Sequence, residues 1–326
     1  MKLVISKPGE YQSVPSEKPE REPGKVLFHV KAVGICGSDI PRIFAGKSYY
    51  YPIVLGHEFS GIVEDAEDSE LVGRRAVVFP IIPCGKCDFC RAKKYANCIN
   101  YSYYGSRTDG GMQSYLNIDP FNIITFPDKI PFDAAAMTEP SAVCLHAVKK
   151  GNINSGSNVK VYGAGTIGML IAMWASAKGA KTVAVTDIDP QRKAFAEKLG
   201  FLTECDNQPD VIFDATGSGN AVSQAIDEIA PFGRMILVGN ASSDVNLPVA
   251  IYSKILRKQL AIFGSWNSDF SPEANDWKES LQAMENGIIR PELLITSKYP
   301  LSEGAMALDR IRDRKFDMKI IIGCDG

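Results

Sequence analysis

The sequence predicts an α/β chain in which a β-rich unit is followed by a doubly wound parallel sheet, with a short tail after it. Three observations predict this. From residue 158 to residue 266, apolar runs ending in small residues alternate with helical stretches, the pattern of parallel strands joined by crossover helices. The first of those runs leads into Gly163-Ala164-Gly165-Thr166-Ile167-Gly168, a glycine fingerprint with a strand before it and a helix after it. Upstream, the β-branched stretch Val26–Val33 follows prolines at 15, 19 and 23 and reads as a strand.

A chain of 326 residues has room for two domains. Hydrophobic residues make up 45%, charged residues 23%, and the net charge is −2, so no basic tract invites nucleic acid or an anionic membrane surface. No apolar run approaches the ~20 residues that span a bilayer. Met1–Pro8 turns polar too soon for a secretory signal. The expected setting is therefore cytoplasmic, with reduced cysteines, no nucleic acid and no membrane.

In chain order, the first chemistry-bearing residues lie in Cys36-Gly37-Ser38-Asp39, then Gly56-His57-Glu58, then Glu139-Pro140. Cys36 and His57, with Glu58 or Glu139, would give a borderline-soft ion three protein ligands of mixed S, N and O type. Such a set leaves a fourth position for water or a substrate oxygen. Asp39 can accept a hydrogen bond from the other ring nitrogen of His57. Between these motifs Cys84, Cys87, Cys90 and Cys98 stand at C-x2-C-x2-C-x7-C spacing, half of the eight cysteines in the chain. Four thiolates close a structural zinc site. The missing secretory signal argues against a disulfide cluster. An iron–sulfur cluster is compatible with the ligand type, but the neighbouring motifs call for zinc.

Tyr101, Tyr103 and Tyr104 read as packing against this lobe rather than lining a polar pocket, and Cys144 reads as core. In the glycine fingerprint, Gly163 permits the tight turn, Gly165 lets the backbone approach a pyrophosphate, and Gly168 lets the helix pack close to the sheet. The N–H groups of the helix start, around Thr166 and Ile167, face phosphate oxygens. Asp187 ends the second strand, 19 residues after Gly168, where a carboxylate bonds ribose hydroxyls and repels a 2′-phosphate. The cofactor expected is NAD rather than NADP. Asp189 precedes Pro190 and is expected to cap the next helix.

This order of motifs resembles the zinc-dependent medium-chain alcohol and polyol dehydrogenases along nearly the whole chain. Cys36–Phe44, Tyr50–Ile53, Gly105–Gly111 and Lys254–Lys258 most resemble the polyol and sugar-phosphate branch. The resemblance implies a GroES-like catalytic domain over residues 1–142 with a zinc lobe at 83–99. It further implies a Rossmann NAD-binding domain over 143–270 and a return to the catalytic domain over 271–326. It places Cys36, His57 and Glu139 at the catalytic zinc, with Glu58 as a ligand or an exchanging neighbour, and a structural zinc on Cys84, Cys87, Cys90 and Cys98. Two zinc ions per chain, a cleft active site and a homodimer or homotetramer are implied as well. The implied activity is oxidation of a secondary alcohol of a polyol phosphate to the ketose phosphate. Sorbitol, another polyol or L-threonine are the alternative substrates. A non-catalytic nucleotide-binding protein is disfavoured, since the ligand set and the fingerprint are both complete.

The sequence departs from the family in two places. Pro41 and Arg42 occupy the stretch where many members carry a relay histidine, which leaves Ser38 as the candidate hydroxyl relay. The acidic stretch Ile62–Glu70 lacks the usual glycine-rich turn and reads as a solvated hairpin turn. Arg42, Lys47 and Arg107 are the candidate anchors for a substrate phosphate. Lys254, Arg257 and Lys258 read as a solvated helix face, and Cys205 is given no role.

Overall fold

In the computed structural model, which describes residues 1–241 and 243–324, the chain forms two compact units. One is Met1–Glu139 with Asp269–Gly326, and the other is Pro140–Ser268.

The first unit is built on a seven-stranded sheet. Its central strand, Val26–Gly34, alternates buried and half-buried positions over its middle, as a strand with one face on a core must. It pairs antiparallel with Glu58–Asp65 and, near its two ends, with Tyr115–Ile118 and Lys319–Gly323. Arg75–Val78 and Ile123–Thr125 extend the sheet on one side, and Ile295–Pro300 lies parallel to Lys319–Gly323 on the other. Phe28, Val30, Val33, Leu55, Phe59 and Ile322 are buried together beneath it. Sequence-distant segments thereby become neighbours: the register sets Gly34 opposite both Glu58 and Ile321.

The acidic stretch is only partly a turn, because the strand Glu58–Asp65 runs into it. Its carboxylates are also used. Glu64 holds Lys18, and Arg21 reaches Asp65 at 3.1 Å and Glu67 at 3.5 Å. These contacts tie the proline-bearing segment 15–23 to the sheet. Such exposed pairs contribute little each, about 0–1 kcal/mol.

The second unit carries a five-stranded parallel sheet in the order Thr182–Thr186, Asn158–Tyr162, Val211–Asp214, Arg234–Leu237, Ala261–Gly264. Beyond the first of these, Leu202 makes a single parallel bridge to Ala184. The order is that of a six-stranded dinucleotide-binding sheet whose third strand is reduced to one bridge. The order reverses beside Asn158–Tyr162, at the carboxyl end where a dinucleotide binds in this architecture. The basic cluster is not simply solvated. Lys258 Nζ donates to the carbonyls of Ile226, Asp227 and Ile229 at 3.3, 2.7 and 2.6 Å, closing the end of the helix Gly219–Glu228, and Lys254 pairs with Asp227. Among the described residues no helix is long and apolar enough to cross a membrane.

Candidate functional site

Cys36 follows the central strand of the first unit and caps a short 3-10 turn, Gly37–Asp39. Its sulfur accepts from Ser38 N at 3.5 Å, and Asp39 returns a carboxylate to Cys36 N at 3.2 Å, a reciprocal cap that fixes both side chains. His57 and Glu58 stand at the start of the next strand. Cys36 Sγ, a ring nitrogen of His57 and a carboxylate oxygen of Glu58 lie within 4.8 Å of one another. Metal bonds of about 2.0–2.3 Å set tetrahedral neighbours roughly 3.3–3.8 Å apart, so these groups can reach one ion with small side-chain movements.

His57 Nδ1 and Asp39 Oδ1 are 3.5 Å apart, and both are buried without a hydrogen-bond partner. Buried polar atoms are normally satisfied. A metal on the other ring nitrogen would polarise the imidazole and turn this approach into a hydrogen bond. Burial works against a charge on His57, yet the charges of Asp39 and Cys36 outweigh it and raise its pKa well above the ordinary value.

Glu139 lies in the first turn of the helix Thr138–Gly151 and is buried. Burial, reinforced by the charge of Glu58, pushes its pKa up to about 7, while His57, Lys319 and a hydrogen bond from Tyr103 act in the opposite direction. That bond runs from Tyr103 Oη to Glu139 Oε1 at 3.3 Å. The Tyr103 ring also meets His57 edge-on, with centroids 5.7 Å apart. Tyr103 therefore belongs to the site, against the expectation that it packs on the cysteine lobe.

Lys319 is the residue that sequence reasoning missed. Its ammonium pairs with Glu58 and donates to Ile35 O at 3.0 Å, and the side chains of both ion-pair partners are 2% exposed. A single lysine among the isoleucines of a buried strand was the available signal. Gly34 makes room for the pair: a Cβ there would lie 2.3 Å from Glu58 Oε2 and 2.8 Å from Lys319 Cε. Gly34→Ala is accordingly expected to destabilise the protein by about 1–3 kcal/mol, as overpacking does, measurable by denaturant unfolding.

Ser38 is exposed, and its hydroxyl donates to Cys36 Sγ at 3.3 Å. Arg42 Nη1 donates to Ser38 O at 2.5 Å and Ser38 Oγ at 3.2 Å, and lies 3.6 Å from Asp39. Arg42 is thus built into the turn that carries Cys36. Arg107 donates to Tyr101 O at 2.8 Å and Tyr49 Oη at 3.1 Å, with its guanidinium 4.0 and 4.8 Å from the centroids of those two rings. Lys47 is exposed.

The four lobe cysteines form a second cluster, with all sulfurs within 4.8 Å of one another. The resolved separations are 3.9, 3.5 and 3.9 Å, against about 3.8 Å for the edge of a tetrahedron with 2.3 Å Zn–S bonds. Those separations are longer than the ~2.05 Å bond of a disulfide. Backbone N–H groups of Ile99 and Cys90 pull Cys87 down to about 6, a thiolate ready for a cation, while burial pushes Cys90 up to about 12.

In the second unit Gly163 takes a positive φ of 96°, and a Cβ on Gly168 would fall 1.7 Å from Gly163 O. The helix Thr166–Ala177 follows, its N-cap Gly165 offering no side chain to its first N–H groups. A helix start of this kind points backbone N–H groups toward an anion. Asp187 accepts from Ala164 N at 2.7 Å and Asp189 N at 2.9 Å, which holds its carboxylate beside the glycine turn. Asp189 caps the helix Pro190–Lys198 through Gln191 N. Arg192 reaches back over the turn, since a Cβ on Gly165 would lie 2.9 Å from its Nη1. The sequence reading had not singled it out.

Residues 22–128 match the family model of the alcohol dehydrogenase GroES-like domain, and residues 166–286 match that of the zinc-binding dehydrogenases. Galactitol 1-phosphate 5-dehydrogenase of Escherichia coli K12 is 31% identical over 318 residues, covering 91% of this chain and 92% of that protein. The crystal structure of galactitol-1-phosphate dehydrogenase from Escherichia coli superposes with a TM-score of 0.92 over 98% of this chain and 99% of that one, at 31% identity. D-xylulose reductase of Scheffersomyces stipitis is 30% identical over 360 residues, covering 98% of this chain and 97% of that protein. With a GroES-like unit, a dinucleotide-binding sheet and these matches along its length, the chain belongs to the zinc-dependent medium-chain alcohol and polyol dehydrogenases.

Proposed function

We propose that the protein oxidises a secondary alcohol of a polyol phosphate to the ketose phosphate with NAD, and that galactitol 1-phosphate, giving tagatose 6-phosphate, is the substrate. The observation that carries the chemistry is the convergence of Cys36, His57 and Glu58 within 4.8 Å, with Glu139 buried beside them. The similarity to galactitol 1-phosphate 5-dehydrogenase supports the substrate.

Cys36, His57 and Glu58 or Glu139 would hold one zinc ion, and Cys84, Cys87, Cys90 and Cys98 a second. When bound, the first zinc supplies Lewis acidity that favours the alkoxide form of an alcohol, and NAD supplies the hydride acceptor. The chain's own residues do the remaining work. Asp39 keeps His57 oriented and offers its carboxylate to Nδ1. Ser38, exposed and bonded to Cys36, is placed to pass the alcohol proton to solvent. Lys319 balances the charge of Glu58, so that two buried carboxylates can share the site. Gly163, Gly165, Thr166, Ile167 and Gly168 present backbone to the pyrophosphate, and Asp187 selects a free ribose 2′-hydroxyl. Replacing Asp187 by serine is expected to raise the kcat/KM ratio of NADP to NAD about ten- to hundred-fold, since a carboxylate facing a 2′-phosphate is a repulsive contact. Parallel titrations of both cofactors measure it.

A homo-oligomer is inferred from the second unit, where the strand Ala261–Gly264 ends the sheet order. In the same unit Val249, Tyr252, Leu256 and Trp266 are exposed, and a sheet edge together with exposed apolar side chains is a template for a second chain. The free thiols suit a reducing, cytoplasmic setting.

A second reading has its own support. Arg42 and Arg107 are already bonded to protein groups, which leaves exposed Lys47 as the least committed of the three candidate anchors and favours an unphosphorylated polyol. The test is initial-rate NADH formation on zinc-loaded protein with galactitol 1-phosphate, galactitol, sorbitol, sorbitol 6-phosphate and L-threonine. A charge-assisted phosphate contact predicts a preference of roughly ten- to hundred-fold for galactitol 1-phosphate over galactitol. Equal rates on the two would discard the phosphate anchor, and activity on L-threonine alone would discard the polyol.

A further inference from the structure

We propose that Tyr103 is a positioning residue for Glu139, holding its carboxylate toward the Cys36–His57 cluster. This rests on the reading that Glu139 faces the catalytic metal. Three contacts carry it. The Tyr103 hydroxyl donates to Glu139 Oε1 at 3.3 Å. The ring meets the His57 imidazole edge-on, with centroids 5.7 Å apart and planes at 66°. The other side of the chain of contacts is anchored: Tyr101 meets Tyr103 at 6.3 Å, and the Arg107 guanidinium lies 4.0 Å from the Tyr101 ring centroid while donating to Tyr101 O. Tyr103 itself sits on the two-residue strand Ser102–Tyr103, paired antiparallel with Ile81–Ile82.

The consequence follows from the geometry of buried carboxylates. Glu139 and Glu58 lie near one imidazole, and each is tied by a different group, Glu58 by Lys319 and Glu139 by Tyr103. With its hydroxyl bond, Glu139 presents a defined oxygen. Without it, the carboxylate is free to rotate about its last torsion, which is broad and roughly two-fold. Site hydrogen bonds of this kind are commonly long before ligands bind and tighten afterwards. Partners that orient a metal ligand typically change metal affinity or activity by about 10- to 100-fold when removed.

The test uses Tyr103→Phe, which keeps both ring contacts and removes only the hydroxyl. Cobalt is exchanged into the Cys36–His57 site while zinc stays in the lobe. The visible band of the cobalt protein and the rate of cobalt loss to a chelator are then measured. The expected result is a shifted band and roughly tenfold faster loss, with a melting temperature close to that of the parent. The same substitution in a Glu139→Gln background is expected to have a much smaller effect, because the partner it acts through has already changed. An unmoved band with unchanged cobalt loss would overturn the proposal, and so would an equal effect in the Glu139→Gln background. A parent that takes up no cobalt at this site would overturn the metal reading, and this proposal with it. A parent that does take up cobalt, with a band and a loss rate that Tyr103→Phe leaves unchanged, overturns the positioning role alone.

Discussion

Lys319→Met is expected to lower the free energy of unfolding by about 3–5 kcal/mol, the cost of leaving one half of a buried ion pair without its partner. The side chains of Lys319 and Glu58 are each 2% exposed, so water cannot replace the lost ammonium. The substitution also leaves Ile35 O without its donor. A pair as enclosed as this is no guarantee of net stability relative to an apolar isostere, but breaking it from one side is costly. The effect should be concentrated where Lys319–Gly323 meets the strand that delivers Cys36. Denaturant unfolding of parent, Lys319→Met and Lys319→Arg measures it. Arginine keeps the charge but must fit a larger head into the space that Gly34 leaves, so it should recover only part of the loss. A cost below about 1 kcal/mol for methionine would place the pair among exposed ones and remove Lys319 from the account.

The second large effect is on catalysis. Cys36→Ser is expected to lower kcat/KM by on the order of 10³, the scale seen when the principal charge-stabilising group of a site is removed. NADH binding should be unchanged, because the glycine turn and Asp187 lie in a separate compact unit. Initial rates with fluorescence titration of NADH separate the two effects. Activity within tenfold of the parent would show that the sulfur of Cys36 is not part of the reacting site.

Much of this was legible in the sequence because the relevant groups are close in the chain. The lobe cysteines span fifteen positions, and His57 and Glu58 are adjacent. The glycine fingerprint is a local signal with a local cause, a turn that must leave a helix start open. Asp189 and Pro190 likewise announce their own cap. What escaped was set by sheet register. Lys319 reaches Glu58 across 261 positions of sequence, and its place before three isoleucines hints at burial but names no partner. Tyr103 lies among three tyrosines, and only the pairing of its strand selects the one that faces Glu139. The acidic stretch after Ser60 is largely exposed, as its composition suggests, but its cationic partners Lys18 and Arg21 lie more than forty positions upstream and could not be read locally. The reduced third strand of the nucleotide unit left only polar sequence around Cys205, from which the single bridge at Leu202 could not be read.

The most direct test of the central claim is the zinc content of the purified protein and of Cys36→Ser, measured per chain by elemental analysis. A four-thiolate site and a separate mixed-ligand site predict near two zinc ions in the parent and near one in the variant. One zinc in both proteins would leave the lobe as the only metal site and contradict the assignment of Cys36 and His57 to a catalytic zinc.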